Sequence, residues 1–410
     1  MTDRHVHLIV GGGLAGAKAA ETLRAEGFGG RVVLIADEPE LPYERPPLSK
    51  DYLRGEHPRE HAQVHDAAFY SDHDIELLTG VAATALDLAR HRVELADGRS
   101  LGYDQVLLAT GSVPHRPPIP GAGLDGVHIL RTVADADRLR EALRRGGPLV
   151  LVGAGWIGCE VAASARQMGV ETTLVDVAGE PLEHVLGSQI GGWFAALHRA
   201  HGVHVRMGAG VARFDGDKFL EAVVLADGTR IEARTALLAV GIAPDVALAR
   251  AAGLAVDDGI LVDDRLRSSD PDVFAAGDVA RAWHPRYGRR IRVEHWSAAL
   301  NQGPAAARSM LGQDRPYDRV PYFFSDQYDA GMEYVGLHRR EDRLVLRGSL
   351  DDQRFQAIWL APAGHVTAGM HVNDWNAIGP LEELIERGGA VDPVALADPS
   401  TPIAECSAAA

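Results

Sequence analysis

The sequence predicts an α/β protein with two parallel-sheet domains of like design and a smaller α+β domain at the C-terminal end. Two observations carry this prediction. The glycine pattern GGGLAG at residues 11–16 returns as GAGWIG at 153–158, each after an apolar run and before a helical one, and beyond Pro321 the texture changes to short apolar strands.

The first copy, HVHLIVGGGLAGAKAAETLRAEG, reads as a short strand, a glycine turn and a helix that stops at Gly27. In such a βαβ opening Gly11 permits the tight turn, Gly13 lets backbone amides approach a pyrophosphate, and Gly16 lets the helix pack close to the strand. The next strand, RVVLIAD, ends at Asp37, where a carboxylate can accept hydrogen bonds from an adenosine ribose. The second copy, PLVLVGAGWIGCEVAASARQMGVETTLVD, puts Gly153, Gly155 and Gly158 in the same roles, and Asp176 ends its following strand. Both are complete Rossmann-like fingerprints, so the chain is expected to bind two dinucleotides. Asp176 is acidic and VAGEP after it offers no cation, so a ribose 2′-phosphate would meet repulsion, and NADH is expected over NADPH.

Two more segments, YDQVLLATGS (103–112) and ALLAVGIAPD (236–245), have the shape of strands ending in glycine turns and bracket the second fingerprint. They mark crossings out of one nucleotide domain and back. The expected division is therefore residues 1–110 with 242–318 as a discontinuous first domain, 111–241 as an inserted second, and 319–410 as the α+β domain. After the return, SSDPDVFAAGDVA is a strand whose end places Asp278 where it could hold a hydroxylated chain, and EHWSAALNQGPAAARSML looks helical from Trp296 with a kink or restart at Pro304. A helix beginning beside a cofactor aims its positive end at developing anionic charge. RLVLRGSL, RFQAIWLA and HVTAGMHVN read as strands, PLEELIERG as a closing helix, and STPIAECSAAA as a loosely held tail.

Composition sets limits on function. The chain has 410 residues, 46% hydrophobic and 24% charged, which suits two or three globular domains. A net charge of −16 opposes binding to nucleic acid or an anionic membrane. No run approaches the roughly 20 apolar residues of a membrane span, and the opening MTDRHVHLIVGGG lacks a signal peptide's pattern, so an unexported, cytoplasmic protein is expected. Cys159 and Cys406 are the two cysteines and lack C-x-x-C spacing, which argues against a disulfide framework. Cys159 falls where a small side chain must pack under the second glycine turn, and the histidines show no ligand pairing, so no metal site is expected.

The ordered series LPYERPPLSK (41–50), GAGWIGCEVA, VFAAGD, EHWSAALNQGPAAA and PYFFSDQYD resembles the FAD-dependent NADH:ferredoxin reductases that serve cytochrome P450 and ring-hydroxylating dioxygenase systems, over nearly the whole chain. The resemblance implies a glutathione-reductase-like superfold with an FAD domain, an inserted NAD domain and a C-terminal domain facing the flavin. It implies an FAD site containing Gly11, Gly13, Leu14, Ala15, Gly16, Asp37, Arg45, Pro46, Lys50, Val81, Ala109, Thr110, Gly111, Arg131, Gly277, Asp278, Glu294, His295 and Trp296. For the NAD side it implies Gly153, Gly155, Trp156, Ile157, Gly158, Glu160, Asp176 and Gly241.

Lys50 and Glu160 are the candidates for chemistry. The resemblance places Lys50 near the flavin N5 with Glu160 as its partner, and a paired carboxylate keeps a buried ammonium charged. Their role would be to orient the nicotinamide and stabilise charge on reduced flavin, because hydride transfer needs no general base. Tyr322 and Phe323 read as core packing. Phe324 stands where relatives often carry tryptophan, which leaves a gating or packing role.

NADH gives up two electrons as a hydride and an iron–sulfur protein accepts one at a time, which is why FAD would stand between them. The expected acceptor is a [2Fe–2S] ferredoxin, or a rubredoxin, steered to a basic cluster of Arg281, Arg286, Arg289, Arg290 and Arg292. Two other readings exist. A disulfide or peroxide reductase needs a cysteine beside the flavin, and LPYERPPLSKDYL contains none. An NADH-responsive binding switch resembling apoptosis-inducing factor shares the fold.

Overall fold

Five parallel strands, in the order Val273–Ala275, Gln105–Leu108, Val6–Val10, Arg31–Ile35 and Ile75–Leu78, form the sheet that carries the first glycine fingerprint in the computed structural model, which describes residues 5–407. Their apolar runs are continuous because helices cover the sheet, and Leu8, Ile9, Val33, Leu34 and Leu107 are fully buried. The helix Leu14–Ala25 packs extensively against the helix Trp296–Met310. Gly303 makes that approach close, since a Cβ there would lie 2.2 Å from the Ala15 carbonyl oxygen. The expected restart at Pro304 does not occur. One helix runs from Trp296 to Met310 with Pro304 inside it, where the proline has no amide to bond to the preceding turn.

The second fingerprint opens a sheet of the same kind, ordered His204–Arg206, Thr172–Val175, Leu149–Val152, Thr235–Leu238 and Val127–His128, all parallel. Each nucleotide domain also carries a three-stranded antiparallel meander, Ala83–Asp87 with Arg92–Leu95 and Ser100–Gly102 in one, Val211–Asp215 with Ala222–Leu225 and Arg230–Glu232 in the other. The two chain crossings lie side by side. Ser112–Pro114 and Ile242–Pro244 pair as an antiparallel ribbon, Ser112 opposite Pro244.

The C-terminal region is a five-stranded antiparallel sheet, Tyr322–Gln327, Ala330–Gly336, Val366–Val372, Arg354–Leu360 and Arg343–Ser349 in spatial order. Its alternation sorts two faces. Val335, Val345, Ile358 and Leu360 pack against Leu381, Leu384 and Ile385 of the helix Ile378–Arg387, while Met332, Tyr334, Phe355 and Trp359 join the core that contains Leu151, Val161 and Phe194.

The chain divides into two compact units, Met1–Pro47 with His57–His115 and Ile242–Arg319, and Leu48–Glu56 with Arg116–Gly241 and Val320–Ala410. These do not follow the three expected domains one for one. The segment carrying Lys50 was expected in the first domain and groups with the second unit, because Leu53 is buried in that unit's core and the Tyr52 hydroxyl donates to Asp137 at 2.6 Å. The tail is also corrected within the described residues. Ile403 and Cys406 are buried, and Ser407 bridges Val391, so the chain is tied down to 407 while 408–410 lie outside the described residues.

Candidate functional site

In the first unit the glycine turn has the shape of a pyrophosphate cradle. Gly11 holds φ +124°, and a Cβ there would sit 2.1 Å from the Ala109 carbonyl oxygen. A Cβ on Gly16 would sit 2.0 Å from the Gly11 oxygen, so the helix can pack here only with glycine. Gly13, in contrast, faces open space, and as N-cap it leaves the first helical amides without a side-chain cap. Open room in front of uncapped donors, beside Leu14 and Ala15 of the first turn, is the geometry a dinucleotide phosphate requires.

The same unit carries most of the residues expected at the first site. Thr110 bonds the Asp245 carbonyl at 2.7 Å, and its neighbours Ala109 and Gly111 complete the crossing from the strand end. Gly277 holds φ +79° with Ala15 against it, and the Asp278 carboxylate accepts from Ser112 at 2.7 Å. Asp37 is exposed and caps the Glu38 amide at 3.0 Å, with Val81 buried where the chain returns to Ala36. Arg45, followed by Pro46, is held by Glu38 at 3.1 Å and by the Tyr43 hydroxyl at 3.2 Å. The helix at Trp296 starts from His295 with no side-chain cap, and the Trp296 indole donates to Glu44 at 2.9 Å. Glu294 pairs with Arg292.

The second unit repeats the turn. Gly153 holds φ +108° with its would-be Cβ 2.2 Å from the Ala239 oxygen, Gly158 approaches the Gly153 oxygen with a would-be Cβ at 1.9 Å, and Gly155 again faces open space at an uncapped helix start. Ile157 is left 41% exposed on that first turn, whereas Trp156 packs on Phe323 at 4.5 Å between ring centroids. Gly241 ends the crossing back with φ +98°. Asp176 accepts from the Ala154 amide at 2.6 Å and from the Ala178 amide at 2.8 Å, so it ties the glycine turn to the following loop. No arginine or lysine stands in 177–181, and Val177 is 75% exposed. Arg131 belongs to this unit, not to the first, and its backbone amide is taken by Asp135 at 3.1 Å.

The Lys50 ammonium lies 2.7 Å from Glu160, with side chains 13% and 4% exposed. Lys50 caps the short helix Asp51–Arg54, and Glu160 is on the helix of the second fingerprint, so the pairing follows from how those helices pack. Sequence reasoning missed the serines that complete the site. Ser49 donates to Glu160 at 2.5 Å and Ser325 at 2.7 Å, from 111 and 165 residues away. The one local hint was that Ser49 adjoins Lys50. Phe324 presents its ring to the Lys50 ammonium, 5.7 Å from the centroid, a cation–π contact. Burial in the same region raises the Asp326 carboxyl above its usual range, opposed by the Lys50 charge.

Neither cysteine is placed for dithiol chemistry. Cys159 is fully buried with its thiol against the Ala154 carbonyl, burial pushes that thiol up, and Cys406 is buried in the C-terminal core. Among the described residues no group of histidines, cysteines or carboxylates is arranged to hold a metal, and no helix is long and apolar enough to cross a membrane.

Residues 5–303 match the family described as pyridine nucleotide-disulphide oxidoreductase, and 322–407 match the reductase C-terminal family. The chain is 39% identical over 396 residues to the ferredoxin–NAD(+) reductase component of the anthranilate 1,2-dioxygenase system of Burkholderia cepacia, covering 96% of this chain and 97% of that one. It is 37% identical to putidaredoxin reductase of Pseudomonas putida, with 98% and 97% covered. The solved covalent complex of putidaredoxin reductase with putidaredoxin matches with a TM-score of 0.94 at 35% identity, over 99% of this chain and 98% of that one.

Proposed function

This chain belongs to the pyridine nucleotide-disulphide oxidoreductase family, among the ferredoxin reductases of dioxygenase and P450 systems, and from that premise we propose that it passes electrons from NADH through FAD to a [2Fe–2S] ferredoxin. The observation that carries this reading is the pair of open, uncapped glycine turns in one chain, joined to a buried lysine–carboxylate pair and to no usable cysteine. One NADH yields one NAD+, one proton and two electrons, so two ferredoxins are reduced per turnover. Bound FAD supplies the conversion between hydride and single-electron chemistry.

The first turn, with Gly11, Gly13 and Gly16, would hold the FAD pyrophosphate, and Asp278 the ribitol. The uncapped start of the helix at Trp296 would face the pyrimidine end. Gly153, Gly155 and Gly158 would hold NADH. Lys50 would place its ammonium at the reacting edge, and Glu160, Ser49 and Ser325 fix where that group points. Phe324 closes over the ammonium by packing.

The test is NADH-dependent cytochrome c reduction with and without a ferredoxin. Turnover that requires the ferredoxin supports the reading; slow flavin reduction with a long-lived NAD complex and redox-dependent self-association overturns it.

Asp176 should set coenzyme choice. kcat/KM for NADH is expected to exceed that for NADPH, and Asp176→Ala should shrink the ratio by about tenfold through loss of like-charge repulsion. A parent enzyme that uses NADPH equally well would refute this.

The ferredoxin docks, on this reading, on the hairpin Ala280–His284 with Arg289–Ile291. Arg281 pairs with Asp257 and Arg292 with Asp258 and Glu294, while Arg286 and Arg289 are exposed on the hairpin and Arg290 lies opposite Trp283, which is 42% exposed. Arg289→Ala with Arg290→Ala should raise the ferredoxin KM at low salt and flatten its rise with salt, leaving flavin reduction by NADH intact. An unchanged salt profile moves docking elsewhere. A cytoplasmic location belongs to the same reading, since NADH is an intracellular reductant and both cysteines are free thiols.

A further inference from the structure

Behind Glu160 lies a chain of polar side chains that the reaction as described does not use. Ser325 Oγ, 2.7 Å from Glu160 Oε1, stands 3.3 Å from Gln327 Nε2; Gln327 Oε1 stands 3.0 Å from His198 Nε2; His198 Nδ1 stands 3.1 Å from the Tyr328 hydroxyl. Ser325 and His198 are fully buried and Gln327 is 1% exposed, so water does not compete for these bonds. The Tyr328 ring stacks on His201 at 3.6 Å, which fixes the outer end.

The chemistry of each group sets the direction of every bond. Gln327 Oε1 can only accept, so His198 Nε2 carries the hydrogen. Burial depresses the His198 pKa to about 4, so the ring is neutral near pH 7 and Nδ1 accepts from the Tyr328 hydroxyl. The Gln327 amide donates to Ser325, and the Ser325 hydroxyl, its lone pair occupied, turns its proton to Glu160. All four donors therefore point the same way, from Tyr328 toward the carboxylate. Hydrogen bonds aligned in series polarise one another, and the effect is largest where a charge terminates the row.

We propose that Tyr328, His198, Gln327 and Ser325 form a one-directional hydrogen-bond row that holds the Glu160 carboxylate in place, and through it aims the Lys50 ammonium. They are positioning residues, and the proposal rests on the reading of Lys50 and Glu160 as flavin-facing groups. The alternative is inert packing between the helix Glu183–Ala200 and the strand Tyr322–Gln327.

The experiment compares Ser325→Ala, Gln327→Leu and Glu160→Gln with the parent holoenzyme, measuring the limiting rate of flavin reduction by NADH and the midpoint potential of bound FAD. Ser325→Ala should slow limiting reduction about tenfold, the effect of one hydrogen bond to a charged group, with the NADH concentration dependence unchanged. It should also make the potential more negative, because a less well-placed ammonium stabilises reduced flavin less. Gln327→Leu should move both quantities the same way by less, and it serves as the test if Ser325→Ala does not fold. Folded Ser325→Ala and Gln327→Leu proteins with parental rate and potential would overturn the proposal while Glu160→Gln remained slow. If Glu160→Gln is itself parental in both, the underlying reading of the pair fails instead.

Discussion

Lys50→Met is expected to slow the reduction of bound FAD by NADH about 100-fold, the usual effect of removing one preorganised group that stabilises developing charge. The substitution removes the ammonium 2.7 Å from Glu160 and leaves the carboxylate, 4% exposed, supported by Ser49 and Ser325 alone. Breaking a buried pair from one side costs roughly 3–5 kcal/mol, so the melting temperature should fall as well. Lys50→Met combined with Glu160→Gln should recover much of the stability, since no unpaired charge remains, yet recover none of the rate. Stopped-flow at saturating NADH with parallel thermal melts separates the two effects. A Lys50→Met enzyme whose flavin is reduced as fast as the parent's would reduce the pair to a structural role.

Gly153→Ala should abolish reduction by NADH while leaving the protein yellow. The residue sits at φ +108°, where an L-side chain is strained, and the new methyl would lie 2.2 Å from the Ala239 carbonyl oxygen. The turn must open, and the amides at Trp156 and Ile157 lose their alignment on the phosphate. The counterpart Gly11→Ala meets Ala109 in the same way at 2.1 Å and should yield protein without flavin. The measurements are flavin absorbance of the purified proteins and NADH titration of those that hold flavin. If both variants lost FAD and NADH response together, the assignment of one turn to each nucleotide would fall.

The nucleotide folds were legible because their determinants are local. A strand, a glycine turn and a helix occupy a few dozen consecutive residues, and the turn chemistry of Gly11 and Gly153 is written in their own positions. The site that uses them was only half legible. Lys50 and Glu160 came from a family likeness, while Ser49 and Ser325 reach Glu160 across 111 and 165 residues, a convergence that no periodicity encodes. Charge misled where sequence counts ions without neighbours: Arg281 and Arg292 contribute to the basic run but are matched by Asp257, Asp258 and Glu294. The restart offered at Pro304 does not occur for a related reason. Packing of its helix against Leu14–Ala25 outweighs one missing amide bond.

The ribbon of Ser112–Pro114 and Ile242–Pro244 fixes the two ends of the intervening stretch within one strand spacing of each other. With its termini pinned together, a long excursion of chain adds little closure entropy, about 0.6 kcal/mol for each doubling of length. The stretch between those strands therefore leaves and re-enters through one two-stranded ribbon. Insertions or deletions in its surface loops should be tolerated without rethreading the sheet from which the chain departs.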